Sequence, residues 1–396
     1  MIYKTKINGN LYFFDGSKYI LYKDEINDSN ELDTDIHFIK PLPRRLEKLN
    51  LLVSTICNGQ CIYCYQKEGF FGDISPIMDR NSADEILKYL SLKYDQIGNV
   101  SFFGGEPTLN LDILKYLTNE LDANFIIDSF SITSNGTLFD KETVELLSEF
   151  NYNIVLSIDG PEFINNKMRK NLNYDMILKA IELLSKADLK DNLILNCTYT
   201  KYHENNYDKQ MLKKFFNKLG IAYHISDVIT DKENIKLINT NIIEKNKIDI
   251  SESFERLIDN SLNKDVNNYA RDIVEAILYG NASSSFCNDV IEGYSETFDT
   301  NSNRHHCISL IKEEIDFEKM NKINNKNNSI CNKCWAKNLC RDCVTKYFLG
   351  ADNKLKNLND CNHKRYYEYS MDTLMRIYDS SEERFYKIFE NYPIFI

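Results

Sequence analysis

Long apolar runs are missing from this sequence of 396 residues. No stretch approaches the ~20 consecutive apolar residues that a helix needs to cross a bilayer. The chain opens with Met-Ile-Tyr-Lys and lacks the apolar segment typical of a secretory signal peptide. We therefore expect a cytoplasmic protein without a membrane-spanning segment.

An excess of positive charge is also missing. The sequence has 48 lysine and arginine residues against 59 aspartate and glutamate residues, and its formal net charge is -11 at pH 7. This balance disfavours sequence-independent binding to nucleic acid, which depends on cationic contacts with phosphates. We expect no nucleic-acid partner, and a neutral or basic partner instead.

Cysteine, in contrast, is abundant. The eleven cysteines are odd in number and fall mostly into groups with short spacing. Because cytosolic thiols stay reduced, such groups favour metal ligands over disulfides. The hydrophobic content of 43% allows a large core, and the length suggests two or three structural units.

The first cysteine group follows an apolar run at residues 49–53 and consists of Cys57, Cys61 and Cys64. Three thiolates can hold three irons of a [4Fe-4S] cluster and leave the fourth iron open for a ligand that is not protein. Three close cysteines also occur in zinc sites and in structural loops, so spacing alone leaves these alternatives open.

Short apolar runs alternate with helical patterns between residues 48 and 226. The predicted strands cover residues 49–53, 100–103, 125–133, 154–158, 193–198 and 221–225. Ser82 with Glu85 predicts a capping box. Asp140 predicts the N-cap of another helix, and Gly220 predicts the end of a third. The alternation predicts βαβ units and a parallel sheet, in a barrel or a doubly wound arrangement, with functional groups at the carboxyl ends of the strands.

The spacing Cys57-x3-Cys61-x-Tyr63-Cys64 resembles the signature of the radical S-adenosylmethionine (radical SAM) enzymes. That resemblance implies a partial (β/α)6 barrel, a [4Fe-4S] cluster whose open iron is chelated by SAM, and reductive cleavage of SAM to a 5'-deoxyadenosyl radical. The radical would then take a hydrogen atom from the substrate.

Further family-like motifs end the predicted strands. Gly-Gly-Glu at 104–106 resembles the motif that contacts the SAM amino group, and the motifs at residues 133–136 and 156–161 offer small polar groups for ribose and carboxylate. Arg169 matches an arginine that reaches the SAM carboxylate in many relatives, although Asn165 or Asn166 stands where a histidine is common. The SAM contacts implied by the resemblance are Tyr63, Gly104, Gly105, Glu106, Ser134, Asn135, Ser157, Asp159 and Arg169.

The second cysteine group resembles the SPASM domain, a C-terminal module with two auxiliary [4Fe-4S] clusters. The resemblance assigns Cys287, Cys307 and Cys343 to auxiliary cluster I, and Cys331, Cys334, Cys340 and Cys361 to auxiliary cluster II. Cluster I then lacks a fourth cysteine, so its last iron is open to substrate or bound by Asp289, His305 or His306. Zinc is the structural alternative for these cysteines.

The remaining segments complete four predicted regions. Residues 1–47 form a β-rich cap with hairpin turns at Asn8-Gly9 and Asp15-Gly16, and residues 48–226 form the partial barrel. Residues 227–284 form a helical bridge, and residues 285–396 form the SPASM-like domain with C-terminal helices. Residues 319–328, rich in Asn and Lys, are predicted to be a flexible loop.

The resemblance implies a radical SAM enzyme with three [4Fe-4S] clusters and SAM, a precursor peptide as substrate, and an external reductant of the flavodoxin or ferredoxin type. The missing ligand favours thioether or carbon-carbon crosslinking of a ribosomally made peptide, with a cysteine thiolate held at the open iron. The alternatives are an anaerobic sulfatase-maturating (formylglycine-generating) enzyme and a noncatalytic iron-sulfur or zinc-binding protein.

Overall fold

The structure is a computed structural model. It describes residues 2–16, 19–23, 37–38, 43–64, 75–228, 242–260, 266–282, 285–288, 290–291, 293–308, 311, 317–327, 330–341 and 362–392.

The chain divides into two compact units, each built from separate segments. The sheet unit comprises Pro41–Ile238 and Asp289–Ile315. The helical unit comprises Met1–Lys40, Asn239–Asn288 and Asp316–Ile396. Residues 289–315 add strands to the sheet unit. The division into four regions stays a prediction.

The strands of the described residues, in chain order, are β1 (Ile2–Ile7), β2 (Asn10–Asp15), β3 (Ile20–Lys23), β4 (His37–Phe38), β5 (Arg45–Ser54), β6 (Gln60–Cys61), β7 (Gln96–Gly104), β8 (Ile126–Ser134), β9 (Asn153–Ser157), β10 (Arg169–Lys170), β11 (Leu193–Tyr199), β12 (Ala222–Asp227), β13 (Asn281–Ala282), β14 (Ser295–Phe298) and β15 (Arg304–His305).

The helices of the described residues, in chain order, are α1 (Arg80–Lys93), α2 (Leu111–Asn124), α3 (Lys141–Glu149), α4 (Glu162–Met168), α5 (Tyr174–Lys186), α6 (Lys201–Asn206), α7 (Lys209–Leu219), α8 (Ile242–Ile258), α9 (Asn268–Tyr279), α10 (Phe317–Asn324), α11 (Asn362–Ser380) and α12 (Glu382–Glu390).

The sheet unit contains one large sheet in the order β12-β11-β9-β8-β7-β5-β14-β15. Every neighbouring pair is parallel except β14 with β15. From β5 to β12 the spatial order follows the chain without the reversal that defines a doubly wound sheet. Among the described strands, β12 and β15 remain as edges, so the sheet is open. The predicted α/β fold with a partial barrel is confirmed.

The six predicted strands of this sheet are confirmed as β5, β7, β8, β9, β11 and β12. Their inward side chains form a single core whose central members, such as Leu49, Val100, Ile154 and Leu195, are fully buried. Burial is continuous over residues 49–54 of β5, whereas β8, β9 and β11 alternate between buried and more exposed positions.

Helix ends in the sheet unit follow local capping chemistry. Asp140 caps α3 through the Thr143 backbone N–H, and Gly220 ends α7 in the left-handed region with φ 61°, as predicted. The predicted capping box of Ser82 with Glu85 is wrong. Helix α1 begins earlier, because the Asp79 carboxylate accepts a hydrogen bond from the Ser82 N–H at 2.8 Å and makes Ser82 part of the first turn.

The helical unit includes the predicted three-stranded meander, β1-β2-β3, with both pairs antiparallel. Asn8 and Gly9 both have positive φ, as a two-residue type I′ hairpin turn requires. The second turn runs into residues 17–18, which lie outside the described residues. Two tyrosines bind the meander to α11: Tyr3 donates to Asp372 at 2.8 Å and Tyr12 to Asp379 at 2.7 Å.

The predicted flexible loop at residues 319–328 is wrong over its first half. Helix α10 covers Phe317–Asn324 and buries Met320 and Ile323. The i, i+3 spacing of these two residues gives the helix one apolar face, and burial of that face outweighs the Asn and Lys bias of the segment. Within the described ranges, no helix combines the length and apolar character needed to cross a bilayer.

The cap of α1 gives a local test. In Asp79→Ala, the N–H groups at the start of α1 lose their side-chain acceptor, so we expect faster hydrogen exchange in a peptide spanning residues 78–90. Lys88→Ala, at an exposed position of the same helix outside the cap, is the matched control and should leave this exchange unchanged. Equal exchange in both variants would contradict the assignment of the cap.

Candidate functional site

The loop that carries the first cysteine group starts at the carboxyl end of β5 and is fixed by the end of β7. The Gly105 N–H donates to Ser54 O, and the Glu106 N–H donates to Ile56 O, both at 2.8 Å. A Cβ on Gly104 would lie 2.0 Å from Ser54 O, and one on Gly105 would lie 2.2 Å from Ile56 O. Both glycines are therefore required by the close approach of two protein backbones.

Glu106 joins the ends of β7 and β8. Its carboxylate is fully buried and accepts hydrogen bonds from the Thr108 N–H and hydroxyl, the Ser134 hydroxyl at 2.7 Å and the Asn135 N–H at 2.8 Å. Burial raises the pKa of Glu106, while these four donors lower it. Both carboxylate oxygens have protein partners, so the predicted contact of Glu106 with the SAM amino group stays a prediction.

Asn135 links β8 to the cysteine loop. Its Nδ2 donates to Asn58 Oδ1 at 2.8 Å and lies 3.8 Å from Cys57 Sγ, which also accepts from the Gly59 N–H at 3.3 Å. Asn58 in turn donates to the Thr137 hydroxyl at 2.8 Å. Burial raises the pKa of Cys57, and the donors from Gly59 and Asn135 oppose it. These donors favour the thiolate, the form that binds metal.

A short β-bridge brings Arg169 beside the second cysteine. Strand β6 pairs antiparallel with β10, so Cys61 is the direct partner of Arg169. Burial raises the pKa of Cys61 to about 11, and the charge of Arg169 acts in the opposite direction. Because metal ligation requires the thiolate, metal binding at Cys61 releases a proton.

Tyr63 lies between two buried charges. Its hydroxyl donates to Asp159 Oδ2 at 2.6 Å and accepts from Arg169 Nη1 at 2.7 Å, whereas Arg169 and Asp159 are 3.9 Å apart. Desolvation raises the pKa of Tyr63 well above its ordinary value, which keeps the hydroxyl protonated. Asp159 Oδ1 also accepts from the Thr198 N–H at 3.0 Å, which joins the end of β9 to β11.

The donor set around Arg169 fits an anionic ligand. Its Nε is buried and has no hydrogen-bond partner among the described residues. A buried donor without a partner is costly, and a ligand carboxylate would satisfy it. The predicted SAM-carboxylate contact is consistent with this arrangement.

Two residues that the sequence motifs missed support Asp159. Asn165, fully buried, accepts from the Asp159 N–H at 3.1 Å, and His203 Nε2 lies 2.9 Å from Asp159 O. Because a carbonyl can only accept, Nε2 carries the proton and Nδ1 accepts from the Thr200 N–H at 3.1 Å. Burial lowers the pKa of His203, which keeps the ring neutral. The Thr200-x-x-His203 spacing at a helix start was the signal.

The predicted SAM contacts thus collect at one edge of the sheet, because they follow β5, β7, β8 and β9. Ser157, the last residue of β9, is half-buried at the same edge. Among the described residues, no three His, Cys, Asp or Glu side chains are grouped closely enough to hold one metal ion. Cys57, Cys61 and Cys64 are therefore not arranged as a single-ion zinc site, whereas each thiolate of a [4Fe-4S] ligand set binds a different iron.

The C-terminal cysteines are distributed over both units. Cys287 lies in the helical unit and Cys307 in the sheet unit, while Cys343, Cys361 and Asp289 lie outside the described residues. Of the alternative ligands, His306 is half-buried, and His305 Nε2 lies 2.8 Å from Asp299 Oδ2. The assignments to auxiliary clusters I and II stay predictions.

Cys331, Cys334 and Cys340 lie within one stretch of turns in the helical unit. The Cys334 N–H donates to Cys331 O at 3.1 Å, and the Cys340 N–H donates to Ala336 O at 3.0 Å. Cys340 is buried, and the other two are half-buried. These turns carry three thiols within residues 331–340, the spacing that the resemblance to the SPASM domain implies for cluster ligands.

The end of α10 supplies two polar residues that the sequence did not indicate. Asn324, 1% exposed, binds the Cys287 backbone in both directions: its Oδ1 accepts from the Cys287 N–H and its Nδ2 donates to Cys287 O, each at 2.9 Å. Lys326 is fully buried, and burial lowers its pKa to about 8. The apolar spacing of Met320 and Ile323 was the available signal for this helix.

Comparison with known proteins identifies the family. The model of the radical SAM superfamily matches residues 51–215. An uncharacterized protein of Methanocaldococcus jannaschii is 32% identical over 215 residues, which are 51% of this chain and 70% of that protein. The chain belongs to the radical SAM superfamily. It is therefore an enzyme of a family that uses SAM and a [4Fe-4S] cluster, and the noncatalytic alternative is wrong.

A further relative matches a smaller share of its own length. The cysteine-type anaerobic sulfatase-maturating enzyme of Clostridium novyi is 27% identical over 197 residues, which are 45% of this chain and 50% of the relative. The chain thus matches about half the length of that curated relative.

Two solved structures share the fold. The native anSMEcpe with bound AdoMet and Cp18Cys peptide has a TM-score of 0.62 at 21% identity, over 87% of this chain and 99% of that one. Streptococcus suis SuiB bound to precursor peptide SuiA has a TM-score of 0.55 at 17% identity, over 80% of this chain and 76% of that one.

The Tyr63 hydroxyl gives a test of this radical SAM site. Tyr63→Phe removes the bridge between Arg169 and Asp159, so we expect weaker SAM binding with an unchanged iron content. A hydrogen bond to a charged group contributes about 1.5–3 kcal/mol, so the Kd for SAM should rise about 10- to 100-fold. Binding is measured by calorimetry on anaerobically reconstituted protein. Tyr94→Phe, which removes a hydroxyl bonded to Glu296, is the matched control; an equal Kd in both variants would refute the role of Tyr63.

Proposed function

We propose that this radical SAM enzyme modifies a peptide at the carboxyl edge of its sheet. Support for the site comes from the contact of Tyr63 with both Asp159 and Arg169, which joins the cysteine loop to the ends of β9 and β11. Support for a peptide substrate comes from the two solved structures with this fold, each of which contains a bound peptide.

In this proposal, Cys57, Cys61 and Cys64 hold the [4Fe-4S] cluster that binds SAM. When bound, the cluster and SAM supply a 5'-deoxyadenosyl radical, with an electron from a flavodoxin- or ferredoxin-type reductant in the cytosol. Gly104, Gly105, Ser134 and Ser157 lie at the strand ends, where they would surround SAM.

The chain's own residues orient and shield the ligand. Arg169 offers its unpartnered Nε to the SAM carboxylate, and the Tyr63 hydroxyl and Asp159 fix the guanidinium. Glu106 fixes the start of the cysteine loop. Asn135, which donates to Glu106, lies beside Cys57, the first thiol of that loop. Since Arg169 and Asp159 are almost completely buried, their charges act in a medium with little water and are correspondingly strong.

The finer proposal is a thioether crosslink in a ribosomally made peptide, or a carbon-carbon crosslink. For the thioether, one C–H and one S–H bond of the peptide break and one C–S bond forms. The 5'-deoxyadenosyl radical would take up the hydrogen atom, solvent the thiol proton, and an auxiliary cluster the remaining electron. Cys287, Cys307 and Cys343 would hold one auxiliary cluster, and Cys331, Cys334, Cys340 and Cys361 the other.

The second candidate is an anaerobic sulfatase-maturating activity. It is favoured by the Clostridium novyi relative, whose name states this activity. Such an enzyme would convert a cysteine or serine of a short peptide to formylglycine.

Product masses decide between the two. The reconstituted enzyme, SAM and dithionite are incubated with a cysteine-containing peptide, either a sulfatase motif or a short precursor encoded near the gene. A thioether product has lost two hydrogens and kept its sulfur, whereas formylglycine formation from cysteine removes the sulfur. SAM cleavage without any change in peptide mass, for either substrate, would refute the proposal of peptide modification.

Iron content tests the cluster assignments. We expect about 12 irons per chain after anaerobic reconstitution, and about 8 when Cys57, Cys61 and Cys64 are all changed to alanine. This variant should no longer cleave SAM. Cys197→Ala is the matched control, because Cys197 is fully buried in β11, and it should retain all the iron. About 4 irons together with bound zinc in the unmodified chain would refute the auxiliary clusters and leave the SAM cluster in place.

A further inference from the structure

Lys326 stands in an unusual position after α10. It is fully buried, and its backbone has φ 53°, in the left-handed region that favours glycine. Neither burial of an ammonium group nor this backbone conformation favours lysine. The surrounding structure must therefore offset both the cost of burying the charge and the cost of the backbone conformation.

The Lys326 ammonium lies against the turn that carries the cysteines. Its Nζ donates to Lys337 O at 2.8 Å and lies 5.5 Å from the centre of the Phe286 ring. The Lys337 N–H in turn donates to Cys334 O at 3.2 Å. Two hydrogen bonds through Lys337 thus link the ammonium to the backbone of a predicted cluster ligand.

Negative charge near this ammonium comes first from thiols. When ionised, Cys340 and Cys331 provide the largest favourable interactions with Lys326, ahead of Asp272, while Arg341 opposes them. Neutral thiols offer no such compensation. Burial of an ammonium group costs free energy, and thiolates bound to a metal would supply negative charge that offsets part of this cost.

We propose that Lys326 is the buried counter-charge of the metal centre held by Cys331, Cys334 and Cys340, and that it raises the reduction potential of that centre. The inference rests on the auxiliary cluster of the proposed function. A reduced cluster carries one more negative charge than the oxidised one, so a fixed cation nearby stabilises the reduced state more. Lys326 is thus a positioning and tuning residue, and it touches no substrate.

The test compares lysine variants in the full chain with Cys57, Cys61 and Cys64 changed to alanine, which leaves the auxiliary clusters alone. Lys326→Met removes the charge and the donor, and Lys326→Gln removes the charge while keeping a donor for Lys337 O. Lys333→Met is the matched control, because Lys333 is an exposed lysine between Cys331 and Cys334. Each protein is reconstituted anaerobically and titrated with dithionite, with the reduced clusters followed by electron paramagnetic resonance.

We expect both Lys326 variants to keep about 8 irons and to shift one of two reduction steps to lower potential. A tenfold change in the ratio of reduced to oxidised cluster corresponds to 59 mV for one electron, and we expect at least this shift. Lys333→Met should shift neither step. Both Lys326 variants could instead lose half of their iron while their circular dichroism stays unchanged and Lys333→Met keeps all its iron. This outcome would equally support a counter-charge that the cluster requires.

Unchanged potentials in both Lys326 variants, or bound zinc in place of the iron, would overturn the inference. These failures are separate from failure of the proposed function. An enzyme with all three clusters that modifies its peptide but shows unchanged potentials loses only the role of Lys326. A chain that cleaves SAM but binds only about 4 irons loses the auxiliary clusters, and this inference with them.

Discussion

The buried carboxylate of Glu106 is the interaction on which the arrangement of the site depends. Its four donors come from the turn after β7 and from the end of β8, so one charge fixes the relative position of two strand ends. Asn135, one of these donors, also contacts Cys57 and Asn58. Removing one partner of a buried charge costs about 3–5 kcal/mol, so the cysteine loop is tied to a strongly constrained point of the sheet.

The position of the site could be predicted from the sequence because parallel strands point their carboxyl ends to one edge. Once the strands are recognised, Glu106, Ser134 and Asp159 must lie near Cys57, whatever the lengths of the connecting helices. The predicted Arg169 is brought there by a different device, the two-residue bridge between β6 and β10. Such a short pairing has no periodicity of its own, so only the family resemblance indicated it.

The errors and omissions have a common physical origin in tertiary burial. Ser82 with Glu85 has the composition of a capping box, but α1 begins at Arg80 with Asp79 as its cap, and its buried face consists of Ala83, Ile86 and Leu90. Residues 319–328 have the composition of a loop, but the two buried side chains of Met320 and Ile323 give α10 one apolar face. His203 and Lys326 are polar residues in fully buried positions, and single-sequence patterns carry no information on which polar residues find partners in a core.

The segmented construction of the helical unit has a consequence for the order in which the protein matures on the ribosome. Tyr3 and Tyr12 of the meander find their partners in α11 only 369 and 367 residues later in the chain. Strands β5 to β12 are contiguous apart from their helices, and can pair while the rest is still being translated. Domains tend to fold as they emerge, yet the meander must wait for a helix that is translated much later. During that interval Ile7, Tyr12 and Phe14, which are buried in the completed fold, are exposed to solvent.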